Sequence, residues 1–316
     1  MTAPRYSLVT VGAITLFDHW LGVESLPAAG ETLLIPGQVA PVLFGGQALN
    51  QAVAARRLGF SVAACFCCGD DFRTSGYEAE VADAGIGVSG VTVLAGVRSG
   101  HSYVVYDSAG RHFLIMELGA SQLQGDQRFP SEVLSGAQAV VLNMPFDAYC
   151  LAAAELGREA GARVVVSGQL MTAELAIQRQ LLRLCTHLSC NEAELASLRA
   201  QHGALVDDTL SGLDAYWITA GGRGVEVHER GSGPVHVEAV EVPVEVDPIG
   251  AGDTFTACAT AALSEGISVV EAAKVGSVAA SFVVEAWGCQ TNLATRPRLA
   301  ERFEAAYGEP CPLRCA

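Results

Sequence analysis

One short segment of the chain combines glycines with a carboxylate in a pattern suited to phosphoryl transfer. It reads D-P-I-G-A-G-D from Asp247 to Asp253 and leads into an alanine-rich stretch that predicts a helix. Since amides at a helix N-terminus are unpaired and the helix dipole is positive there, Gly250, Ala251 and Gly252 could hold an anion. We expect Asp253 to stay ionised there and to accept the proton of an attacking hydroxyl group. The alternative is an ordinary glycine turn in which Asp253 only caps the helix.

A second glycine pair lies about 200 residues earlier in the chain. Gly45 and Gly46 precede a predicted helix, and Asn50 lies one turn inside it. Paired glycines let a ligand approach the backbone closely, although an ordinary strand-turn-helix unit would show the same pattern. The presence of both segments in one chain favours a binding site over two unrelated turns.

Lysine is nearly absent, which excludes one common type of phosphate site. Lys274, inside a predicted helix, is the only lysine, and the motif G-x-x-x-x-G-K-[ST] does not occur. A bound phosphate must therefore be neutralised by backbone amides, by arginine or by a divalent metal. No G-x-G-x-x-G follows the first predicted strand either, which argues against a dinucleotide-dependent oxidoreductase.

Composition predicts a large α/β protein with an ample core. Half of the 316 residues are hydrophobic and 17% are charged, and the net charge is -15. This acidic balance argues against nucleic acid and anionic membranes as main partners. No apolar run approaches the roughly 20 residues that span a bilayer, and the start lacks a signal-peptide pattern. We therefore expect a cytoplasmic protein.

The ten cysteines predict buried, reduced thiols and no metal site. Cys65, Cys67 and Cys68 share one apolar run that suits a buried strand, and no C-x-x-C pair occurs. Cys311 and Cys315 lie in a tail too short to bind zinc without distant partners.

Strand-like and helical segments alternate along most of the chain. The predicted strands are 6–12, 61–67, 88–93, 101–106, 111–116, 139–143, 163–167, 188–190, 215–219, 225–228 and 235–246. The predicted helices are 47–58, 72–84, 147–160, 174–184, 191–201, 252–263, 269–286 and 297–303. A hairpin turn is expected at 107–110, and residues 22–43 are expected to form irregular strands outside the main sheet. The pattern predicts one α/β domain over residues 1–316, with a mostly parallel sheet covered on both faces.

Together these segments resemble the ribokinase-like, or phosphofructokinase B-type, family of carbohydrate and nucleoside kinases, over nearly the whole chain. The motifs that carry the resemblance are Val11-Gly12 with Asp18, P-x-x-G-E-T at 27–32, GG-x-x-x-N-x-A-x-A-x-x-L-G at 45–59, the glycines and aspartates of 69–76, N-x-x-E at 191–194, T-x-G-x-x-G at 219–224, and the segment ending at Asp253.

The resemblance implies a three-layer αβα fold with a small β-sheet lid at about residues 14–42 and 95–118, which often forms a homodimer interface. It implies transfer of the ATP γ-phosphate to a hydroxyl of a small sugar or related polyol. Two alternatives remain open: a nucleoside kinase of the same family, and a catalytically weak member that binds a sugar or nucleotide.

The resemblance also implies roles for individual residues. Asp253 would be the general base, with an anion hole formed by Gly250, Ala251 and Gly252. Substrate would be bound by Asp18, Gly45, Gly46, Gln47, Asn50 and Asn143. The nucleotide site would include Asn191, Thr219, Gly221 and Gly224. Mg²⁺ would be ordered through water by Glu194, and in some members the residue matching Asp247 helps to hold a monovalent cation such as K⁺.

The chain departs from the family pattern at several positions. Pro248 replaces a threonine and removes an amide and a hydroxyl beside the anion site. Gln47 stands where ribokinases carry lysine, and Asn143 stands where many members carry glutamate. Ser167-Gly168-Gln169 replaces a common D-x-N. These differences predict an acceptor pocket with altered polarity.

Overall fold

The computed structural model describes residues 6–32, 34–35, 37–109 and 111–314. Cys315, Gly110 of the predicted hairpin turn, and residues 33 and 36 of the first predicted lid segment lie outside the described residues. Within these ranges, nine strands form a large sheet in the spatial order β13 (Val235–Val237), β12 (Val225–Glu229), β11 (Ala215–Thr219), β10 (His187–Asn191), β9 (Arg163–Ser167), β8 (Ala139–Leu142), β1 (Leu8–Val11), β4 (Val62–Gly69) and β5 (Gly87–Leu94).

The large sheet is parallel from β11 to β5, and at one edge β12 runs antiparallel to both of its neighbours, β11 and β13. Strand order reverses at β1, whose two neighbours are β4 and β8. In open α/β sheets, ligands bind beyond the carboxyl ends of the strands near such a reversal. The order of the strands therefore places a binding site after β1 and the strands beside it.

Helices cover both faces of the large sheet and give three layers. The buried residues of α1, α8, α9 and α10 belong to one hydrophobic core, and those of α4 to α7 belong to the other. The described ranges contain no helix with the length and hydropathy needed to cross a bilayer. The helices are α1 (Gln47–Arg57), α2 (Asp71–Thr74), α3 (Tyr77–Asp83), α4 (Ala148–Glu159), α5 (Leu175–Leu184), α6 (Glu192–His202), α7 (Ala204–Gly212), α8 (Ala251–Ala262), α9 (Val269–Val283) and α10 (Arg296–Tyr307).

A separate sheet, here called the small sheet, contains β3 (Leu43–Phe44), β2 (Phe17–Gly22), β6 (His101–Tyr106) and β7 (His112–Glu117), in that order. Three of these strands fall inside the predicted lid segments, and β3 follows directly after the first. Successive side chains of a strand point to opposite faces. Asp18 and Trp20 of β2 therefore share one face of the small sheet, together with Ser102 and Val104 of β6.

Local sequence explains where several helices begin. The side chain of Asp147 accepts hydrogen bonds from two amides in the first turn of α4. Asn191 with Glu194, and Ser268 with Glu271, form capping boxes at the starts of α6 and α9. These side chains satisfy amides that would otherwise lack partners in the first turn.

Some predicted elements differ from the structure, and two observed elements were not predicted from the residue pattern. The predicted helix 72–84 is broken at Gly76, whose φ of 87° is outside the helical region, so that α2 and α3 are separate. The predicted strand 235–246 stops at Val237, and several of the residues that follow line a cavity instead. The two elements that were not predicted are helix α7, which follows the interruption of the helical segment at Gly203, and strand β2, which lies in a segment assigned only through the lid that the resemblance implies.

Candidate active site

Two cavities meet at the carboxyl ends of β10 and β11. The first has a volume of about 290 Å³ and lies between this edge of the large sheet and the small sheet. The second, of about 270 Å³, lies on the other side of the N-terminus of α8. Thr219 and Gly252 line both cavities. We call the first the acceptor cavity and the second the outer cavity.

Most of the predicted site residues line one or both of these cavities. The acceptor cavity is lined by Asp18, Gly46, Gln47, Asn50, Asn191, Glu194, Thr219, Gly250, Gly252 and Asp253. The outer cavity is lined by Thr219, Gly221, Gly224, Ala251 and Gly252. Three predicted residues line neither cavity: Gly45, Asn143 and Asp247.

The boundary between the cavities is the start of helix α8. Gly250 adopts a φ of 87°, and a side chain there would place its Cβ 2.7 Å from Cys289 Cβ, so this position requires glycine. The Ala251 amide donates a long hydrogen bond to the Pro248 carbonyl oxygen at 3.3 Å. First-turn amides have no partner within the helix, and together with the dipole they form a site for negative charge.

Asp253 lies in the first turn of α8 and faces the acceptor cavity. It does not cap the helix through its side chain, so the purely structural alternative is not supported. Its Oδ2 accepts a hydrogen bond from Asn50 Nδ2 at 3.1 Å. Asn50 Oδ1 in turn accepts from Gln290 Nε2 at 3.0 Å, which fixes the orientation of the Asn50 amide.

A chain of hydrogen bonds extends from this pair to the glycine turn. Gln290 Nε2 also donates to the Tyr77 hydroxyl at 2.7 Å, and that hydroxyl donates to the Gly45 carbonyl oxygen at 2.8 Å. Gly45 is therefore connected to Asn50 through Tyr77 and Gln290, although it does not line the cavity. Tyr77 and Gln290 were not predicted from the sequence. Tyr77 follows Gly76 of a recognised motif, whereas Gln290 lies outside every recognised motif.

The expectation that Asp253 stays ionised holds only in part for the unliganded site, because its pKa lies near neutral pH. Burial is the main cause that raises the pKa of Asp253 from 3.8 to about 7; the hydrogen bond from Asn50 opposes this shift, and the carboxylates of Asp18 and Glu194 add to it. Burial also raises the pKa of Asp18 to about 6, with the Ser102 hydroxyl opposing the shift and Asp247 adding to it. Desolvation and like charges dominate over the helix dipole here.

Asp18 projects from β2 into the acceptor cavity and is packed against the glycine turn. The Ser102 hydroxyl donates to Asp18 Oδ1. A Cβ at Gly45 would lie 1.9 Å from Asp18 Oδ2, so the absence of a side chain at Gly45 determines where this carboxylate can lie. Ser102 was not predicted as a site residue, although the strand that contains it, 101–106, was predicted.

Two glutamines form part of the acceptor cavity wall. The Gln47 amide nitrogen donates to Gln169 Oε1, and Gln47 Oε1 is buried without a partner in the described structure. Ser167 Oγ, which also lines this cavity, is buried and unpartnered in the same sense. Buried polar atoms without partners are rare, and here they supply two unused positions for a polar ligand.

Asn143 does not face the cavity. It exchanges two hydrogen bonds with the Gln51 amide, at 2.9 and 2.8 Å, and donates to the Val11 carbonyl oxygen at 3.2 Å. Gln51 lines the acceptor cavity, so Asn143 orients a cavity residue and does not itself reach the space.

Asn191 and Glu194 combine helix capping with a place in the cavity wall. Asn191 Oδ1 accepts from the Glu194 amide at 2.9 Å, and Glu194 Oε2 accepts from the Asn191 amide at 2.8 Å. Burial raises the pKa of Glu194. No group of three or more metal-binding side chains is present in the described ranges. The oxygen donors here suit Mg²⁺ only if phosphates and water complete its shell.

Glycines form the entrance to the outer cavity after β11. Gly221 and Gly224 have φ values of 56° and 89°, and a Cβ at Gly224 would lie 2.2 Å from the Val237 carbonyl oxygen. Val240, Val242 and Phe255 add apolar walls to this cavity. Such a flat apolar space beside a glycine turn can hold an aromatic ring with phosphates at the helix N-terminus.

Asp247 is fully buried and already satisfied by protein donors. Trp20 Nε1 donates to Oδ2 at 2.9 Å, while the Tyr106 hydroxyl and the Ile249 amide donate to Oδ1 at 2.8 and 3.0 Å. The positive ends of these N–H and O–H groups point at the carboxylate. This environment does not fit a monovalent cation, which requires oxygen ligands in the same directions.

Comparison with known proteins agrees with this geometry. A profile described as pfkB family carbohydrate kinase matches residues 6–296. The chain belongs to this family. It is 28% identical over 320 residues to the ribokinase of Haemophilus influenzae, covering 96% of this chain and all of that protein. It is 26% identical over 299 residues to the nucleoside kinase of Methanocaldococcus jannaschii, covering 94% and 96%.

Two solved structures share the fold of this pfkB-family kinase. The crystal structure of the M. jannaschii nucleoside kinase superposes with a TM-score of 0.87 at 24% identity, covering 96% of this chain and 100% of that one. The Burkholderia thailandensis nucleoside kinase in complex with inosine gives 0.84 at 22% identity, covering 96% and 99%. The family, the three-layer fold and an ATP-dependent sugar or nucleoside kinase, all predicted from sequence, are confirmed.

Proposed function

We propose that this kinase transfers the γ-phosphoryl group of ATP to a hydroxyl of an uncharged sugar or nucleoside, with Asp253 as general base. The observation that carries the proposal is the position of the α8 N-terminus. It separates an acceptor cavity that contains Asp253 from an outer cavity lined by Gly221 and Gly224. An acceptor on one side and ATP on the other would meet at Gly252.

The residues of the acceptor side have separable roles in this mechanism. Asp18 would accept hydrogen bonds from acceptor hydroxyls and orient the reacting one toward Asp253. Asn50, held by Gln290, would keep the Asp253 carboxylate aligned to take the proton as the hydroxyl attacks. Gly46 and Gln47, which line the same wall, would contact other acceptor groups.

The nucleotide side would be organised by the two turns around β11 and α8. Thr219, Gly221 and Gly224 would line the ATP site, and Asn191 would border its phosphates. Amides of Gly250, Ala251 and Gly252 would stabilise the charge that develops on the transferred group. Mg²⁺, when bound, neutralises phosphate charge, and Glu194 is the residue that would hold its waters.

The charges of the acceptor cavity support an uncharged acceptor. Its described lining contains the carboxylates of Asp18, Glu194 and Asp253 and includes neither lysine nor arginine. An anionic acceptor would enter a space of like charge with no cation to balance it. Gln47 and Ser167 instead offer the two unpartnered polar atoms to hydroxyl or amide groups.

Accordingly, we expect sugar phosphates and sugar acids to show kcat/KM values at least about 100-fold below those of the best uncharged acceptor. A penalty of about 3 kcal/mol for an unpaired charge corresponds to this ratio. An ATP-consumption screen over sugars, polyols, nucleosides, sugar phosphates and sugar acids measures it. Gln47→Lys is the matched variant and should narrow the gap, while preferential turnover of a sugar phosphate by the wild type would overturn the assignment.

A nucleoside is the acceptor favoured by one further observation. Ile14, Trp20, Val104, Leu114 and Met116 give the acceptor cavity an apolar wall on the side of the small sheet. A purine or pyrimidine ring could pack there while its ribose faces Asp18 and Asp253. If the screen yields no phosphorylated product, and sugars or nucleotides still stabilise the protein thermally, the remaining alternative of a catalytically weak binding protein is supported.

The pH dependence of the reaction should reveal the ionisation of the base. We expect kcat/KM for the acceptor to rise with pH and to level off above about 7, because Asp253 must lose its proton before it can accept another. Asp18, with a pKa of about 6, should steepen the profile below that value. In Asp18→Asn the midpoint should move to lower pH, since a neighbouring negative charge is lost. A flat profile between pH 5.5 and 8 would contradict the assignment of Asp253.

We further propose that the small sheet acts as a lid and that its outer face forms a homodimer interface. Ile115 of β7 is 55% exposed, and Leu34 of the first predicted lid segment is 90% exposed. Exposed large apolar side chains can contribute to an interface. A cytoplasmic location is proposed with it, because ATP is available there and the eight buried cysteines from Cys65 to Cys289 are free thiols.

A further inference from the structure

The carboxylate of Asp247 connects the small sheet with the start of helix α8. Trp20 of β2 and Tyr106 of β6 belong to two neighbouring strands of the small sheet, and each donates to a different oxygen of Asp247. Asp247 lies three residues before Gly250. Two side chains of the proposed lid are thus hydrogen-bonded to the segment that would hold the transferred phosphate.

The segment around Asp247 is itself firmly placed. The amides of Val246 and Asp247 donate to the Val284 carbonyl oxygen, at 2.7 and 3.2 Å, just after α9 ends. The Ile249 amide closes a turn onto Asp247 Oδ1. A displacement of the carboxylate would therefore be transmitted to Ile249 and Gly250 through one short turn.

An apolar cluster packs around these bonds, and Asp247 and Trp20 are fully buried. Trp20, Val104 and Tyr106 pack with Ile249 and Trp287, and the rings of Tyr106 and Trp287 meet edge to face at 5.1 Å. Hydrogen bonds to a charged group are strong when water is excluded, and a buried carboxylate is costly without them. Separation of the small sheet would leave the Asp247 carboxylate without the donors of Trp20 and Tyr106, so the closed arrangement is favoured.

We propose that Asp247 is a positioning residue that latches the small sheet onto the phosphate-binding turn, in place of the monovalent cation that the family resemblance implies at this residue. The proposal rests on the kinase function and on the lid role of the small sheet. Donors from Trp20 and Tyr106 occupy the carboxylate, and Pro248 contributes neither an amide hydrogen nor a hydroxyl to a cation site. Closure over an acceptor would then order the anion hole directly, without bound potassium.

The test compares Tyr106→Phe with Tyr103→Phe in the full-length protein. Tyr106→Phe removes one hydroxyl from the latch, while Tyr103 lies on the same strand with its ring on the opposite face, stacked on His19. We expect Tyr106→Phe to lower kcat about five- to tenfold and to leave the KM for ATP within twofold. Tyr103→Phe should keep the wild-type values. Trp20→Phe removes the other bond and should act like Tyr106→Phe.

The pH profile distinguishes a latch from a merely structural contact. The groups facing Asp253 are Asp18 from β2, Glu194 from α6, the Cys289 thiol and the neutral Asn50 from α1. A loosened small sheet would hydrate Asp253 and move Asp18 away, and both effects lower the pKa of the base. The midpoint of kcat/KM should therefore move to lower pH in Tyr106→Phe and stay in place in Tyr103→Phe.

Potassium provides the independent readout. Wild-type rates in potassium chloride and in choline chloride at equal ionic strength should agree within twofold, and more than fivefold activation by potassium would overturn the proposal. Wild-type kcat and pH midpoint in both Tyr106→Phe and Trp20→Phe would overturn it as well. Either result leaves the proposed function intact, provided that the wild type phosphorylates its acceptor and Asp253→Asn does not.

Discussion

The Asp253→Asn variant is expected to lose about three to four orders of magnitude in kcat while its affinity for ATP stays within a few-fold of the wild type. A positioned general base contributes roughly 10²- to 10⁴-fold, and this carboxylate also orients the attacking hydroxyl. Asn50 can still hydrogen-bond to the amide oxygen, so the geometry of the cavity should be retained. Initial-rate kinetics and ATP titration by calorimetry measure the two effects.

The same substitution should make the unliganded protein more stable at pH 8. The pKa of Asp253 is about 7 in the folded protein and 3.8 in the reference state. The fold therefore binds this proton more tightly than the unfolded chain. The stability that this bound proton contributes to the folded protein falls as pH rises from about 4 to 7 and stays low above 7. Removing the ionisable group should add about 1–3 kcal/mol at pH 8, after allowance for water in the cavity.

Chemical denaturation at pH 4 and pH 8 tests this sign. The gain in Asp253→Asn should be present at pH 8 and nearly absent at pH 4, where the wild-type side chain is protonated. Asp83→Asn, at an exposed position of α3, is the matched control and should change neither kcat nor stability. A destabilised Asp253→Asn with near-normal turnover would show that the carboxylate is structural.

The second large effect is expected from Gly45→Ala. Gly45 lines neither cavity, but its new methyl group would overlap the Asp18 carboxylate, whose oxygen lies 1.9 Å from the Cβ position. Asp18 must then rotate away from the acceptor. Loss of a hydrogen bond to a charged group costs about 1.5–3 kcal/mol, so kcat/KM for the acceptor should fall about 10- to 100-fold. Binding of ATP should not change.

Gly212→Ala is the control for this substitution. Gly212 is the last residue of α7, and a Cβ there would meet nothing within 4 Å, so activity should be unaffected. Steady-state kinetics with varied acceptor and fixed ATP separate KM from kcat. An unchanged acceptor KM in Gly45→Ala would mean that Asp18 does not contact the acceptor.

Local sequence carried most of the information about the fold and about the backbone of the site. Gly46 and Gly250 both adopt positive φ at the start of a helix, which is why glycine patterns revealed these two turns. The capping pair Asn191–Glu194 is likewise a short-range motif. The parallel sheet followed from alternating segments, because strands joined by helices must run in the same direction.

Information carried by contacts between distant segments was not accessible in this way. Tyr106 and Trp20 bind Asp247 across 141 and 227 residues of sequence, and no spacing rule connects them. The raised pKa of Asp253 was not anticipated for a similar reason. The helix dipole can be inferred from local sequence, whereas burial beside Asp18 and Glu194 depends on packing. Residues 238–246 were assigned to a strand because alternation alone cannot show that a partner strand is absent.

The buried cysteines of strand β4 and helix α8 allow local opening of this enzyme to be followed chemically. Cys65, Cys68 and Cys258 are fully enclosed, and burial raises the pKa of each thiol, so that little reactive thiolate exists in the closed protein. A thiol reagent can then react only during unfolding events that admit water. The rate of thiol modification therefore measures how often those unfolding events occur. Any substrate that stabilises the closed state should lower this rate, and no label or engineered probe is needed.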